Sequence, residues 1–240
     1  MPELSIIVPC YNEEKNLPQI IKVFDALVRN VPALEVLLVN NGSTDQSAYV
    51  LEQELNRLPH QQIKQVTVSV NKGYGYGILQ GLKQATGNVL AWTHADGQTD
   101  PADVLRAWEQ YKEHSDTMLV VKGKRKNRSF GAAFFTWGMQ CITNILLGTR
   151  LSDINAQPKL FSRKFYELVE PNAPNDFSLD VYLLYHAYKR GTITSIPVTF
   201  KKRMFGEAKG GGSFSTRIKL VKRTFRYLFS LRKQLKTAGK

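Results

Sequence analysis

Short apolar runs alternate with segments of helical periodicity along the first half of the chain. The apolar runs lie at residues 4–9, 35–39, 66–70 and 89–92. They predict strands, and the nearly continuous run at 4–9 predicts one that is buried on both faces, as in a parallel sheet. Apolar residues at helical spacing follow the first run, at Leu17, Ile20, Ile21, Phe24, Leu27 and Val28. Strands that alternate with helices favour βαβ units, right-handed crossovers and a parallel sheet.

Two later segments have patterns that fit a membrane surface as well as a protein contact. Residues 130–147 are mostly apolar but are interrupted by polar residues, namely Thr136, Gln140, Thr143 and Asn144. A spanning helix needs about 20 predominantly apolar residues, so this run predicts an interfacial helix, a helix pair or a core helix. Residues 215–236 predict one helix with an apolar and a basic side. Such a helix binds a membrane surface or packs on a neighbouring subunit.

The strand over residues 89–92 runs into a group of side chains that suit a divalent cation. His94, Asp96 and Gln98 occupy every second position, and an extended backbone would point them to one side. Carboxylate and amide oxygens suit a hard cation that also binds phosphates. The alternative is that Asp96 caps a turn and His94 is a semi-buried histidine. Asp100 and Pro101 then predict the start of a helix, with Asp100 as the N-cap.

The charge balance adds an anionic partner to this picture. The 240 residues include 33 Lys and Arg against 20 Asp and Glu, a formal net charge of +13. Such an excess indicates nucleic acid, phosphates or an anionic membrane, and no nucleic-acid-binding motif is present. Cys10 and Cys141 exclude a disulfide framework and a cysteine metal site. The first residues lack the basic region of a signal peptide, so we expect a cytoplasmic protein.

Several short motifs occur in an order and spacing that resembles a known family. They are Pro-Cys-Tyr-Asn-Glu at 9–13, Asn-Asn-Gly-Ser-Thr-Asp at 40–45, Asn-Lys-Gly at 71–73, Ala-Thr-Gly at 85–87 and Asp-Gly-Gln at 96–98. Later pieces are Gly-Lys-Arg at 123–125, Ser-Asp at 152–153 and the run 203–209. The set resembles the family 2 glycosyltransferases of GT-A fold, and most of all their dolichyl-phosphate mannosyltransferase-like branch.

The resemblance implies an α/β fold with a mainly parallel sheet flanked by helices and a C-terminal basic amphipathic helix. It implies a transferase domain over 1–212, with a nucleotide-binding half over about 1–100 and an acceptor half over about 101–212. Interfacial helices are expected over about 129–148, and a basic tail over 213–240. In this family, the polar segments after the strands bind the donor at the carboxyl ends of the sheet.

The resemblance also assigns roles to individual residues. The donor side comprises Pro9, Tyr11, Asn12, Glu13, Asn40, Asn41, Lys72, His94, Ala95, Asp96 and Lys209. The metal ligands would be Asp96, Gln98 and His94, and the acceptor side Arg128, Asp153 and Gln157. The expected catalytic residues are Asp96, Asp180, Arg125 and Arg203. For Asp180, the roles of general base, sugar-orienting group and helix cap stay open.

This chain departs from the family pattern at two places. Asn40 and Asn41 stand where two aspartates are usual, which leaves a uracil or guanine base open. His94 replaces the first acid of the Asp-X-Asp metal motif, and an imidazole ligand favours Mn²⁺ over Mg²⁺.

We therefore predict a metal-assisted, inverting transferase that moves a sugar from a nucleotide sugar to a polyprenyl phosphate. It would act peripherally at the inner face of a membrane, and a membrane-anchoring partner or a homo-oligomer stays open. One alternative acceptor is a saccharide hydroxyl of a lipid-linked glycan or lipopolysaccharide, with Asp180 as the base. Another alternative is a non-catalytic basic module that binds membranes.

Overall fold

A computed structural model of the chain describes residues 2–126, 130–201, 203, 205, 222 and 224–233. Two predicted site residues, Arg128 and Lys209, lie outside the described residues. The strands are β1 (Leu4–Cys10), β2 (Leu34–Asn41), β3 (Ile63–Val68), β4 (Val89–Trp92), β5 (Val120–Lys126), β6 (Lys159–Ser162) and β7 (Ile193–Thr199). The helices are α1 (Leu17–Asn30), α2 (Ser47–Asn56), α3 (Tyr74–Gln84), α4 (Ala102–Lys112), α5 (Phe130–Leu147), α6 (Arg163–Val169) and α7 (Leu179–Arg190).

The strands form one seven-stranded sheet in the order β3-β2-β1-β4-β6-β5-β7. Strands β1 to β4 are parallel, and so are β5 and β7, whereas β6 runs antiparallel to both of its neighbours. The carboxyl ends of β1, β2, β4 and β5 therefore meet the amino end of β6 at one edge of the sheet. The predicted mainly parallel α/β fold is confirmed, and β7, which contains Pro197, lies at the sheet margin.

Each face of the sheet buries its own hydrophobic cluster. Trp92, Phe161 and Val120 face a cluster built from α3, α6 and α7, on what we call the α7 face. Ala91 and Leu160 face the opposite cluster, built mainly from α1 and α4. Because the central strands are covered on both sides, their sequences read as continuous apolar runs.

The C-terminal helical residues 224–233 pack on the α7 face. Leu228 and Leu231 are buried in its cluster, while Phe229 is exposed. The expected tail helix thus docks one apolar edge on the helices that cover the sheet. The domain boundaries that we placed at 212 and 213 stay a prediction.

Two local details differ from the sequence-based expectation. Helix α4 begins at Ala102, so Pro101 takes the cap position and Asp100 accepts a hydrogen bond from the Ala102 amide (3.0 Å). From the sequence, a strand is expected over 117–121 with the basic run after it, whereas residues 122–126 of that run belong to β5 itself. The run 130–147 forms one helix, α5. None of the helices in the described part of the chain combines the length and apolarity that crossing a bilayer requires.

Candidate active site

Two turns at the carboxyl ends of β1 and β2 are joined by reciprocal hydrogen bonds. The Asn12 amide donates to Ser43 Oγ (3.0 Å), and Asn12 Oδ1 accepts from the Thr44 amide (2.8 Å). The Glu13 amide donates to Ser47 Oγ (2.9 Å). Asn12 has a positive φ of 54°, a conformation that asparagine tolerates better than most residues. These bonds hold the Glu13 carboxylate at the sheet edge, where the donor was predicted to bind.

The segment after β4 is a tight turn, not an extended continuation of the strand. The strand ends at Trp92, and Gly97 adopts a positive φ of 70°. Asp96 Oδ1 accepts from the Gln98 amide (3.0 Å), so Asp96 does cap a turn. The expectation that His94, Asp96 and Gln98 share one side through strand alternation is therefore wrong, because the required extended backbone is absent.

Gln98 links this turn to the segment after β7. The Lys201 amide donates to Gln98 O (2.9 Å), and Gln98 Nε2 donates to Lys201 O (3.3 Å). This pair of contacts brings residue 203 over the turn that carries Asp96.

Arg203 unites two predicted donor-side carboxylates. Its Nη2 lies 2.8 Å from Asp96 Oδ2, and its Nη1 lies 3.9 Å from Glu13 Oε1. All three side chains are largely buried, so the charge interactions are poorly screened by water. The guanidinium thus lies between the Asp96 and Glu13 carboxylates, and its positive charge offsets theirs.

His94 lies close to the same charges. Burial lowers the pKa of its imidazole, Lys159 and Arg203 lower it further, and Asp96 and Asp180 oppose the shift. The imidazole is therefore neutral at neutral pH, with a lone pair available to a ligand. The Tyr74 ring lies 6.1 Å from the His94 ring, centroid to centroid.

Asp180 belongs to a buried polar cluster next to His94. Its Oδ1 lies 2.9 Å from Lys159 Nζ and 3.1 Å from Gln157 Nε2, which also reaches the Tyr74 hydroxyl (3.2 Å). Lys159 is fully buried, and burial lowers its pKa against the opposing charge of Asp180. The Asp180 side chain does not cap α7, whose N-cap is Ser178.

Arg125 and Asp153 form a second charged pair at this edge. The Arg125 amide and Nε each lie 2.7 Å from a carboxylate oxygen of Asp153, and Nη2 also contacts Oδ1. Burial opposes ionisation of Asp153, but the hydrogen bonds and charge of Arg125 outweigh it and lower the pKa of Asp153. The Arg125 guanidinium also lies over the Phe200 ring (5.3 Å).

Several other predicted donor residues have local structural contacts. Asn40 Oδ1 accepts from the Ser43 amide (3.2 Å), and Asn41 Nδ2 donates to Gly73 O (3.0 Å). Lys72 lies over the Tyr76 ring (5.2 Å). Ala95 is buried in the core cluster on the α1 face, so its side chain does not line the edge. Pro9 and Tyr11 are partly buried at the end of β1.

The sequence interpretation did not single out Lys122, Lys159 or Tyr74. The local sign that the two lysines are buried was their place beside apolar strand residues. Lys122 directly follows Val120 and Val121, and Lys159 directly precedes Leu160 and Phe161. Buried lysines need a partner or a function.

The donor set around Asp96 fits a metal that brings phosphate and water ligands with it. Mn²⁺ and Mg²⁺ are held in such sites by one or two protein carboxylates. Asp96, the neutral His94 imidazole and the Gln98 amide oxygen are the candidate ligands. Among the described residues no group of three His, Cys, Asp or Glu side chains could hold a metal alone. Arg203 occupies Asp96 Oδ2, so a metal at that oxygen would have to displace the guanidinium.

Comparison with known proteins identifies related chains. The Glycosyl transferase family 2 model matches residues 5–167. An undecaprenyl-phosphate 4-deoxy-4-formamido-L-arabinose transferase from Pseudomonas fluorescens (strain Pf-5) is 27% identical over 212 residues, covering 86% of this chain and 60% of the relative. The enzyme of the same name from Sodalis glossinidius is 27% identical over 86% of this chain and 62% of its own length. This chain thus spans about three-fifths of these relatives.

Solved structures share the fold at low sequence identity. Glucosyl-3-phosphoglycerate synthase from Mycobacterium tuberculosis, crystallised with Mn²⁺, uridine diphosphate and glucosyl-3-phosphoglycerate, has a TM-score of 0.73 at 15% identity. The match covers 96% of this chain and 80% of that one. TarS 1–349 from S. aureus has a TM-score of 0.55 at 19% identity, covering 85% of this chain and 59% of that one.

Proposed function

The chain belongs to glycosyl transferase family 2, and from that premise we propose that it transfers a sugar from a nucleotide sugar to a polyprenyl phosphate. The names of the curated relatives support an undecaprenyl-phosphate type of acceptor. The Mn²⁺ and uridine diphosphate bound in the synthase of similar fold support a uridine nucleotide donor and a divalent metal.

The observation that carries the choice of acceptor is the ion pair between Asp180 and Lys159. A sugar hydroxyl must lose a proton as it attacks, and Asp180 is the carboxylate at the position expected for the base. Asp180 Oδ1 is engaged by the fully buried Lys159 ammonium, 2.9 Å away, and by Gln157 Nε2 at 3.1 Å. Asp180 therefore serves as the counter-charge of Lys159 instead of facing a substrate hydroxyl as a free base.

A phosphate acceptor removes the need for that base. The second pKa of a phosphate monoester is about 6, so its oxygen is already anionic at neutral pH. In the proposed step, a phosphate oxygen forms the new bond to the anomeric carbon. The bond from that carbon to the nucleoside diphosphate breaks, and the diphosphate leaves with the bonding electron pair. No proton has to move.

The charged side chains at the sheet edge suit two anionic substrates. Arg203, between Glu13 and Asp96, is placed to neutralise the diphosphate of the donor. Arg125, held by Asp153, is placed for the phosphate of the acceptor. Gln157 Oε1 is buried with no hydrogen-bond partner among the described residues, so it can accept from a sugar hydroxyl. Glu13 is the candidate for the ribose hydroxyls.

A bound divalent metal would offset the charge that develops on the departing diphosphate. Asp96 is the residue we propose to hold it, with His94 and Gln98 as further ligands. The role of this chain's own residues is to orient the carboxylate: the Gln98 amide fixes Asp96 Oδ1, and Arg203 holds Oδ2 until the donor arrives.

We further propose that the chain acts at a membrane surface, where its lipid acceptor resides. Ile145 of α5 is 79% exposed and Phe229 of the C-terminal helix is 57% exposed. Lys222 and Arg226 are exposed on the same C-terminal helical segment. Apolar and basic side chains together favour an anionic bilayer, with about 1 kcal/mol for each basic residue near the surface. Sedimentation with anionic and neutral vesicles tests this, and equal binding to both would contradict it.

The experiment that tests the function is a transfer assay with a panel of UDP- and GDP-sugars, Mn²⁺ or Mg²⁺, and paired acceptors. Undecaprenyl phosphate and undecaprenol differ only in the phosphate, and an oligosaccharide supplies hydroxyls without lipid. We expect a glycosylated lipid phosphate, detected by mass spectrometry, from undecaprenyl phosphate alone. Transfer to the oligosaccharide instead would establish a hydroxyl acceptor. Absence of any transfer or donor hydrolysis across the panel would favour a non-catalytic membrane module.

A further inference from the structure

Two buried lysines face each other across β5 and β6. Lys122 and Lys159 are paired in the antiparallel register and are 2% and 0% exposed. Strand alternation puts Lys122 on the same face as Val120 and Lys159 on the same face as Phe161, which is the α7 face. Like charges directly opposite each other on a sheet are destabilising, and burial increases their repulsion. This pair therefore requires compensating charge.

The carboxylates nearby compensate only one of the two lysines. Asp180 of α7 pairs with Lys159, and the Asp153 carboxylate is bound by Arg125. Lys122 Nζ contacts backbone carbonyls instead, those of Gly123 (3.1 Å) and Asp153 (3.4 Å). Within the part of the chain that the structure describes, Lys122 forms no ion pair with a carboxylate.

The position of Lys122 ties it to the second charged pair of the site. Its amine donates to the backbone of Asp153, and the side chain of Asp153 holds Arg125. Charges that face Lys122 are Lys159 from β6, Arg125 and Lys124 from its own strand, and Asp153 from the segment before β6. Asp180 is the counter-charge of Lys159 behind it. Among the described residues, three buried or half-buried cations, Lys122, Lys159 and Arg125, thus face the two carboxylates of Asp153 and Asp180, and Lys122 is the cation that contacts backbone carbonyls instead.

Burial, and after it the repulsion by Lys159, lowers the pKa of Lys122 to about 7. The amine therefore exists in both protonation states at neutral pH. An anion placed nearby would favour the ammonium form.

We propose that Lys122 is a proton-linked positioning residue for the acceptor phosphate: a phosphate bound at Arg125 draws a proton onto the Lys122 amine. The new charge offsets that of the bound phosphate and strengthens the hold on the Asp153 backbone, which fixes Arg125 against the phosphate. This inference rests on the proposed function, because it assigns the Arg125 end of the site to the acceptor.

Isothermal titration calorimetry in buffers of different ionisation enthalpy tests the proposal. The probe is geranyl phosphate, a short isoprenyl phosphate that is dianionic at pH 7.5, because the second pKa of a phosphate monoester is about 6. Uridine diphosphate and geraniol are parallel ligands. At pH 7.5, a group with a pKa of about 7 should take up roughly three-quarters of a proton when geranyl phosphate binds. The Kd should rise about tenfold per pH unit above pH 8.

Three variants separate the proton linkage from simple loss of charge. Lys122→Arg keeps a permanent cation, so it should bind with no proton uptake and a flat Kd between pH 7 and 9. Lys122→Met should bind more weakly, also without uptake. Lys126→Met removes an exposed lysine of the same strand that is not among the charges facing Lys122, and it should keep the uptake of the parent chain. Circular dichroism checks that each variant is folded.

The outcomes distinguish this inference from the proposed function. Binding of geranyl phosphate without proton uptake, or uptake that survives in Lys122→Arg, overturns the role of Lys122 and leaves the phosphate acceptor in place. Proton uptake on binding of uridine diphosphate, but not of geranyl phosphate, would link the proton to the donor and overturn the assignment of Lys122 to the acceptor phosphate. Failure of geranyl phosphate to bind while uridine diphosphate binds overturns both proposals.

Discussion

Replacing Asp180 by Asn should destabilise the protein strongly, because it isolates Lys159. The two charges lie 2.9 Å apart and the side chains are 0% and 3% exposed, so little solvent screening reduces the effect. Removing one partner of such a pair costs about 3–5 kcal/mol, whereas replacing both by apolar residues is neutral or stabilising. Asp180→Asn and Lys159→Met should each lose about 3–5 kcal/mol of the free energy of unfolding. The double variant Lys159→Met/Asp180→Leu should recover most of it.

Urea unfolding followed by circular dichroism measures this. With a slope of about 3 kcal/mol/M, each single variant should shift the midpoint of unfolding down by roughly 1–1.7 M. The argument also constrains chemistry, since a general base would make Asp180→Asn inactive at unchanged stability. The reasoning is refuted if Asp180→Asn unfolds at the midpoint of the parent chain and loses turnover. Lys159→Met is the matched control, because it breaks the same ion pair and should lower the midpoint of unfolding by a similar amount.

Three further changes probe the charges at the sheet edge. Arg203→Met frees Asp96 Oδ2, so it should bind Mn²⁺ more tightly in the absence of nucleotide, by about 1–3 kcal/mol. The same variant loses the guanidinium charge and should bind uridine diphosphate more weakly. Electron paramagnetic resonance of Mn²⁺ measures the first effect. His94→Asp restores a second acid and should tighten Mn²⁺ binding with uridine diphosphate by about tenfold, read by calorimetry; unchanged affinity would remove position 94 from the metal site. The pKa of Lys122 is lower in the folded protein (about 7) than in the unfolded chain, so the unfolded state binds more protons above pH 7. The free energy of unfolding should therefore rise by about 1.4 kcal/mol per pH unit up to about pH 10, relative to Lys122→Met. Parallel curves for the two proteins would contradict the Lys122 shift.

The sheet could be predicted from the sequence where one local pattern decides the outcome. Strand β1 and helix α1 were predicted closely, because continuous apolar runs and helical spacing are local signals. The reversal of β6 was not, because a four-residue strand has no feature that fixes its direction. The turn at Asp96 was misread as extended for the same reason: Gly97 permits a positive φ but does not require one.

Site residues divide along the same line. Asp96, Glu13 and Arg203 were expected to converge, and the structure joins them, since the order of motifs along a βαβ chain fixes their common edge. Lys122 was absent from the expected site because it opens a charge run, which ordinarily indicates a solvated face. For Lys159, the neighbouring Leu160 and Phe161 were a local sign of burial, but its counter-charge Asp180 lies on α7 and could not be paired with it from a local pattern.

The buried charges of Lys122 and Lys159 bear both on the stability of the fold and on the class of acceptor. A site that used a sugar hydroxyl would need a free carboxylate as its base, and Asp180 is engaged as the counter-charge of Lys159. A site for phosphate needs a positive charge when the anion is bound, and Lys122 can supply it beside Arg125 by taking up a proton. The charge of the substrate anion and that of the Lys122 ammonium would then offset each other. Binding of a phosphate should therefore stabilise the folded protein more than binding of an alcohol of the same size, because only the phosphate is attracted by the Lys122 ammonium.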